Sequence, residues 1–103
     1  MKRLLLSLFL FVALGVRAAD VMIVVGPSNH KPGSHEVKAG GRLMAHCLSN
    51  AINVKGIRAR VFYEWPDDPK VHRESDTVVF IGDQFPAERM PNAKSAMKAL
   101  TSM

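Results

Sequence analysis

The sequence is poor in most of the parts from which chemistry is usually read. Cys47 is the only cysteine, which excludes an internal disulfide and leaves the core to hold by burial alone. Trp65 and Tyr63 are single occurrences, and no dense Lys/Arg run interleaves with aromatics, so a nucleic-acid surface is not supported. Neither G-x-G-x-x-G nor G-x-x-x-x-G-K-[ST] spacing occurs, which argues against a dinucleotide or phosphate loop. No apolar run reaches the roughly 18 residues that a membrane-spanning helix needs.

What is present suits one ordinary domain: 103 residues, 48% hydrophobic and 22% charged. The N-terminus has the layout of an export signal. Met1-Lys2-Arg3 is basic, Leu4 through Val16 is apolar, and Val16-Arg17-Ala18 supplies the small-residue pattern before a cleavage site expected after Ala18 or Ala19. Residues 1–19 are therefore expected to be a signal peptide and 20–103 the mature domain, periplasmic or secreted, with no membrane association after cleavage. No Cys directly follows the apolar segment at the cleavage site, which argues against a lipid anchor. Without Lys2, Arg3 and Arg17, eleven basic residues face nine acidic ones and the formal charge falls from +5 to +2. The remaining basic residues, Arg58 and Arg60 among them, are scattered and read as solvated surface.

Val21 to Val25 is a continuous apolar, largely β-branched run, which predicts a buried parallel strand. A helix is expected from an N-cap at Ser34, with Glu36 in its first turn and Ala39, Leu43, Met44, Cys47, Leu48, Ala51 and Ile52 on its buried stripe. Gly40-Gly41 inside that helix predicts a close approach to the sheet. Ile57 to Tyr63 alternates apolar and basic residues like a half-exposed edge strand, and Pro69 to Glu74 reads as a short helix. Thr77 to Ile81 is a second buried strand, and Asn92 is placed to cap a last helix with Ala93, Met97 and Leu100 on one face. The order β-α-β-α-β-α under the right-handed crossover rule gives an α/β fold: a parallel sheet of order 2-1-3 between helical layers. Its third strand is left as an unprotected edge. That edge, and the small size of residues 20–103 for a parallel sheet, predict a missing C-terminal half or an oligomer contact there.

The loop Gly26-Pro27-Ser28-Asn29-His30-Lys31-Pro32-Gly33-Ser34-His35-Glu36 joins the first strand to the first helix. In a 2-1-3 sheet it faces the switch point, where open α/β folds bind ligands, so Ser28, Asn29, His30, His35 and Glu36 should lie near Asp83 and Gln84, with Glu64 and Trp65 on the other side. Pro27 and Pro32 remove two amide donors that a phosphate cradle would use. Cys47, on a helix stripe instead of a strand-to-helix elbow, reads as a core thiol, and Ser28 and Ser34 as turn or cap residues. His30, His35 and Glu36 match no H-E-x-x-H spacing and sit where a helix N-terminus repels cations, so neither a metal nor another cofactor is expected. His46 and His72 read as surface residues. Two readings of the loop stand side by side. In one, His30, His35 and Glu36 are hydrogen-bonding or acid/base groups with Trp65 as an apolar platform of the kind carbohydrate sites use. In the other, Trp65 packs beside Pro66 and His35-Glu36 completes the helix start.

Val24-Val25-Gly26-Pro27-Ser28-Asn29-His30, Pro32-Gly33-Ser34-His35-Glu36, Ala39-Gly40, Leu43-Met44-Ala45, Tyr63-Glu64-Trp65-Pro66-Asp67-Asp68 and Asp76-Thr77-Val78-Val79-Phe80 together resemble the ThuA-like (trehalose-utilisation) family. The resemblance implies a flavodoxin-like, class I glutamine amidotransferase-like fold that continues beyond residue 103, and a link to carbohydrate metabolism with trehalose or a related glycoside as ligand. It defines no reaction, and Cys47 does not stand where that fold's glutaminase nucleophile would. Val37 occupies a position where many members carry a further histidine. The resulting expectation is a carbohydrate site with Ser28, Asn29, His30, His35, Glu36, Trp65 and Asp83 as ligand-binding residues and His35 and Glu36 as catalytic candidates. A non-catalytic binding or interaction module, or a non-functional fragment of a larger ThuA-like protein, is the alternative.

Overall fold

The computed structural model describes residues 17–84, 86–90 and 92–102. The apolar segment of the expected signal peptide lies outside the described residues. β1 (Ala19–Val25), α1 (Val37–Ser49), β2 (Ile57–Tyr63), α2 (Pro69–Glu74), β3 (Thr77–Ile81) and α3 (Ala93–Thr101) follow in order, with a 3-10 turn at Pro86–Arg89 before α3. The sheet is wholly parallel, in the order β2-β1-β3. This is the expected topology, and the order in which a flavodoxin-like sheet begins.

β1 is central because its side chains are apolar on both faces. Met22 and Val24 point to one side, where they pack with Trp65 and Met90 and with the half-buried Phe62, Val71, Val78, Phe80 and Leu100. Ile23 and Val25 point to the other, against Val37 of α1 and the half-buried Val21, Ala45, Leu48, Ala59, Val61, Val79 and Ile81. Each fully buried aliphatic side chain of this kind stabilises by about 1.5–3 kcal/mol. α1 thus covers one face, and α2, the 3-10 turn and α3 cover the other. Among the described residues no helix is long and apolar enough to cross a membrane.

α1 differs from expectation at both ends and in its face: it stops at Ser49, so Ala51 and Ile52 lie beyond it and Ile52 is exposed. The helix begins at Val37, not after Ser34, because Glu36 occupies the N-cap position and turns its side chain back toward the loop. The residues against the sheet are Val37, Gly41, Ala45 and Leu48. Leu43 and Met44 are 63% and 37% exposed, and Cys47 is exposed, so it is not a core thiol. The rotation is fixed by contacts with β2: Arg42 donates to the Tyr63 hydroxyl, Lys38 lies over the Tyr63 ring, and the Ser49 hydroxyl accepts the Ala59 amide. At 3.6 residues per turn, Met44 and Cys47 then fall on the flank away from β2, and Leu43 on the side facing solvent. In α3, Leu100 packs as expected but Met97 is 44% exposed, and Asn92 sits in the left-handed region (φ 52) with no side-chain cap bond. α2 has the expected bounds, with Pro69 at its start and the Asp68 carboxylate accepting the Lys70 amide at 2.8 Å.

At the amino end of β1, Asp20 is buried and collects the arginines that read as solvated. Arg58 Nε donates to Asp20 Oδ2 at 2.5 Å and Arg60 Nη2 to Oδ1 at 2.8 Å, because β1 and β2 pair in register and both arginines share the face of Asp20. Glu74 at the end of α2 lies within 3.6 and 3.7 Å of the two guanidinium groups. A carboxylate this deep is tolerated only when so paired.

The two adjacent glycines of α1 separate cleanly. A Cβ on Gly41 would collide with Val25 Cγ2, whereas one on Gly40 would meet nothing within 4 Å. Gly40→Ala is expected to stabilise the fold by about 0.5–1 kcal/mol through helix propensity. Gly41→Ala should cost about 1–3 kcal/mol from overpacking. Urea denaturation of both variants checks this, and shifts of the same sign would contradict the assigned helix face.

Candidate functional site

The loop leaving β1 and the loop leaving β3 are tied together at the carboxyl edge of the sheet. The Gly26 amide donates to the Ile81 carbonyl at 2.8 Å, and the Asp83 amide to the Pro27 carbonyl at 3.4 Å. Within the first loop, Lys31 to Ser34 forms a type II turn: Pro32 holds its second position, Gly33 takes φ 84 at the third, and the Ser34 amide bonds to the Lys31 carbonyl at 3.0 Å. Glu36 Oε1 accepts the Gly33 amide at 2.5 Å, and the Ser28 hydroxyl accepts the His30 amide at 3.2 Å. Short local bonds therefore shape the loop before any ligand arrives.

The shaped loop converges on Asp83. Asp83 Oδ2 accepts the Asn29 amide at 2.6 Å, while Oδ1 lies 2.6 Å from His35 Nδ1 and 3.7 Å from His30 Nε2. The two imidazoles meet edge to face with centroids 5.4 Å apart. The Asp83 side chain is 14% exposed, while His30 and His35 are 61% and 42% exposed and open onto solvent. The Asn29 amide is the main reason the Asp83 carboxyl is held below its ordinary value; partial desolvation opposes the shift, and Ser28, His35 and His30 reinforce it. One ligand-capable atom from each of His30, His35 and Asp83 lies within 4.8 Å of the others. No spacing rule could show this set, because Asp83 joins it across the sheet and not along the chain.

Of the sequence-derived site residues, the structure brings Ser28, Asn29, His30, His35 and Asp83 together. Glu36 lines the same groove of about 240 Å³ beside His30 and His35, but its carboxylate is engaged on the Gly33 amide. Trp65 is not at this rim. It is 9% exposed, stacked on Phe80 at 6.0 Å and against His72 at 4.8 Å, in the core beneath α2. The packing alternative is the one seen, and a sugar platform at the loop is not. His72 is accordingly half-buried, with Nε2 2.8 Å from the Pro66 carbonyl, while His46 is exposed. Glu64, at the end of β2, adopts φ 89, an uncommon left-handed conformation for a side-chain-bearing residue. Three larger grooves, of about 470, 480 and 380 Å³, flank α2; the first two are lined by Arg17 and Arg73, the third by Trp65 and His72, and none contains the His30–His35 pair.

Sequence reasoning missed Arg89. It is 7% exposed, and its guanidinium passes beneath both loops, donating to the carbonyls of Val24 and Ile81 at 3.1 Å each and lying over the Phe80 ring. A Cβ on Gly26 would overlap the guanidinium, and one on Gly82 would come within 2.9 Å of it. The signal that could have found it is the glycine following each of the two buried strands, one facing the other across the sheet.

With chelator present, the carboxyl carbon of Asp83 should titrate with a midpoint below 3.8, the ordinary value. A depressed folded-state value means that the carboxylate's contribution to loop order is fully present above the unfolded value and is lost as pH falls through the folded one. Protection of the Asn29 amide should fall in that same acid window. A midpoint at or above 3.8 in a carbon-13 titration would contradict the arrangement.

Comparison of the chain with protein-family models, with curated proteins and with solved structures found no match to any of the three.

Proposed function

We propose that the loop cluster binds a carbohydrate, trehalose or a related glycoside, and that the chain is a ThuA-like protein working in the periplasm or outside the cell. The observation that carries this is the convergence of His30, His35 and Asp83 beside Ser28 at the carboxyl ends of β1 and β3. A sugar presents closely spaced hydroxyls that each donate and accept. A shallow groove with imidazoles, a hydroxyl and a carboxylate held in place matches that demand better than an apolar slot would. His35 is the residue on which the reading turns; Glu36 acts as a clamp on the loop. The export layout of residues 1–19 and the loop wording support the same reading.

Calorimetric titration with trehalose tests it. Binding is expected to weaken about tenfold or more in His35→Ala, the loss of two hydrogen bonds, and to be unchanged in His46→Ala. Absence of binding to trehalose and simple glucosides, or equal affinity in His35→Ala, would overturn the reading.

A second reading, an interaction module, is favoured by the apolar flank of α1. Leu43, Met44 and Cys47 are exposed on α1, and the outer edge of β3 is unpaired among the described residues. A self-associating protein should elute as a dimer at micromolar concentration in size-exclusion chromatography with light scattering, and Leu43→Asp should return it to monomer. Monomeric elution at every concentration would remove this reading.

A further inference from the structure

We propose that His30 Nε2, His35 Nδ1 and Asp83 Oδ1 form a binding site for a first-row transition-metal dication. The inference does not rest on carbohydrate recognition, since it concerns what these three groups hold by themselves. Two imidazole nitrogens and one carboxylate oxygen are a borderline donor set, suited to Zn²⁺, Mn²⁺, Fe²⁺ or Co²⁺ and short of the oxygen ligands that Ca²⁺ and Mg²⁺ require.

The present spacing is close to a metal's needs. Ligands at about 2.0–2.1 Å from a tetrahedral ion stand roughly 3.3 Å apart, so the 2.6 Å His35–Asp83 pair must open by about 0.7 Å and the 3.7 Å His30–Asp83 pair must close by about 0.4 Å. The two imidazole nitrogens, which lie within 4.8 Å of each other, must also close toward that spacing, and all three adjustments are within side-chain rotation. The support behind the ligands is already in place: the Asn29 amide fixes Asp83 through Oδ2 and so leaves Oδ1 for the ion. The Ser28 hydroxyl and the Lys31–Ser34 turn hold the loop that carries His30 and His35.

A helix N-terminus disfavours a cation, but two features offset it here. The carboxylates of Asp83 and Glu36 both lie at that end of α1; of the two lysines that line the groove, Lys31 and Lys38, the second carries its ammonium over the Tyr63 ring on the β2 side. Three protein ligands facing an open groove leave coordination positions for water or for a ligand oxygen, the layout of a reactive centre as opposed to a closed structural one. A cation here would take up neighbouring hydroxyls of a polyol directly.

The test uses the full chain carrying Cys47→Ser, so that the exposed thiol cannot compete, after chelation and buffer exchange. Titration with ZnCl₂ alone should show one site per chain, weakened about tenfold or more in His30→Gln and in Asp83→Asn. CaCl₂ and MgCl₂ should give no such site. His30 is exposed and bonded only within the cluster, so circular dichroism of His30→Gln should match the parent and separate loss of a ligand from loss of the fold. In nitrogen-15 spectra, Zn²⁺ should shift His30 at Nε2 and His35 at Nδ1 and leave His46 and His72 unmoved. No site for zinc, undiminished affinity in both variants, or shifts at His46 or His72 in place of the pair would overturn the proposal. Failure to bind trehalose would leave each of these results as it stands.

Discussion

β1 has a strand on each edge and side chains covered on each face, so both neighbouring strands and both hydrophobic layers are built on it. Its four innermost residues, Met22 to Val25, are 0–2% exposed. Because alternate side chains of a strand point to opposite faces, the same short run supplies the nucleus of both hydrophobic clusters. α1 can approach closely only because Gly41 has no side chain where Val25 rises to meet it. A strand buried this way cannot shift register by one residue, since a shift would carry Asp20 or Gly26 into the packed layer.

The two ends of β1 are treated in opposite ways. At the amino end, Asp20 is closed over by Arg58, Arg60 and Asp76, and its hydrogen-bonding capacity is used internally. At the carboxyl end, the polar groups are gathered but not closed over. Asp83 is fixed by one amide, and the two imidazoles beside it remain open to solvent. Charge in the first place sustains the sheet, and charge in the second is left free to act on something else. That contrast within one strand separates a structural cluster from a functional candidate here better than residue type does, since both are built on an aspartate.

The strands were legible because their signals are local. β2 and β3 fall where alternation and the β-branched run put them, and the sheet order follows from short connections and crossover handedness. The meeting of His30 and His35 with Asp83 was legible as a neighbourhood, from topology alone. Its ligand geometry was not, because that depends on which carboxylate oxygen the Asn29 amide takes. The face of α1 was misread for a physical reason: seven apolar residues compete for a stripe that holds about four, and contacts of Lys38, Arg42 and Ser49 with β2 decide the rotation. Trp65 was ambiguous between platform and core, and the nearness of Phe80 on β3 and of His72 on α2 resolved it.

Arg89 beneath Gly26 and Gly82 has a consequence for how this rim can change over generations. The guanidinium fills the space that two missing side chains leave, and its Nε has no partner among the described residues, so it is held by the fit of its surroundings more than by saturating bonds. A side chain acquired at either glycine strikes the arginine, while a smaller residue at 89 empties the space beneath both loops that carry His30, His35 and Asp83. The three positions therefore make an epistatic set, in which the order of substitutions matters. Position 89 must yield before either glycine can be replaced, and each path to a differently shaped rim passes through a loosened one.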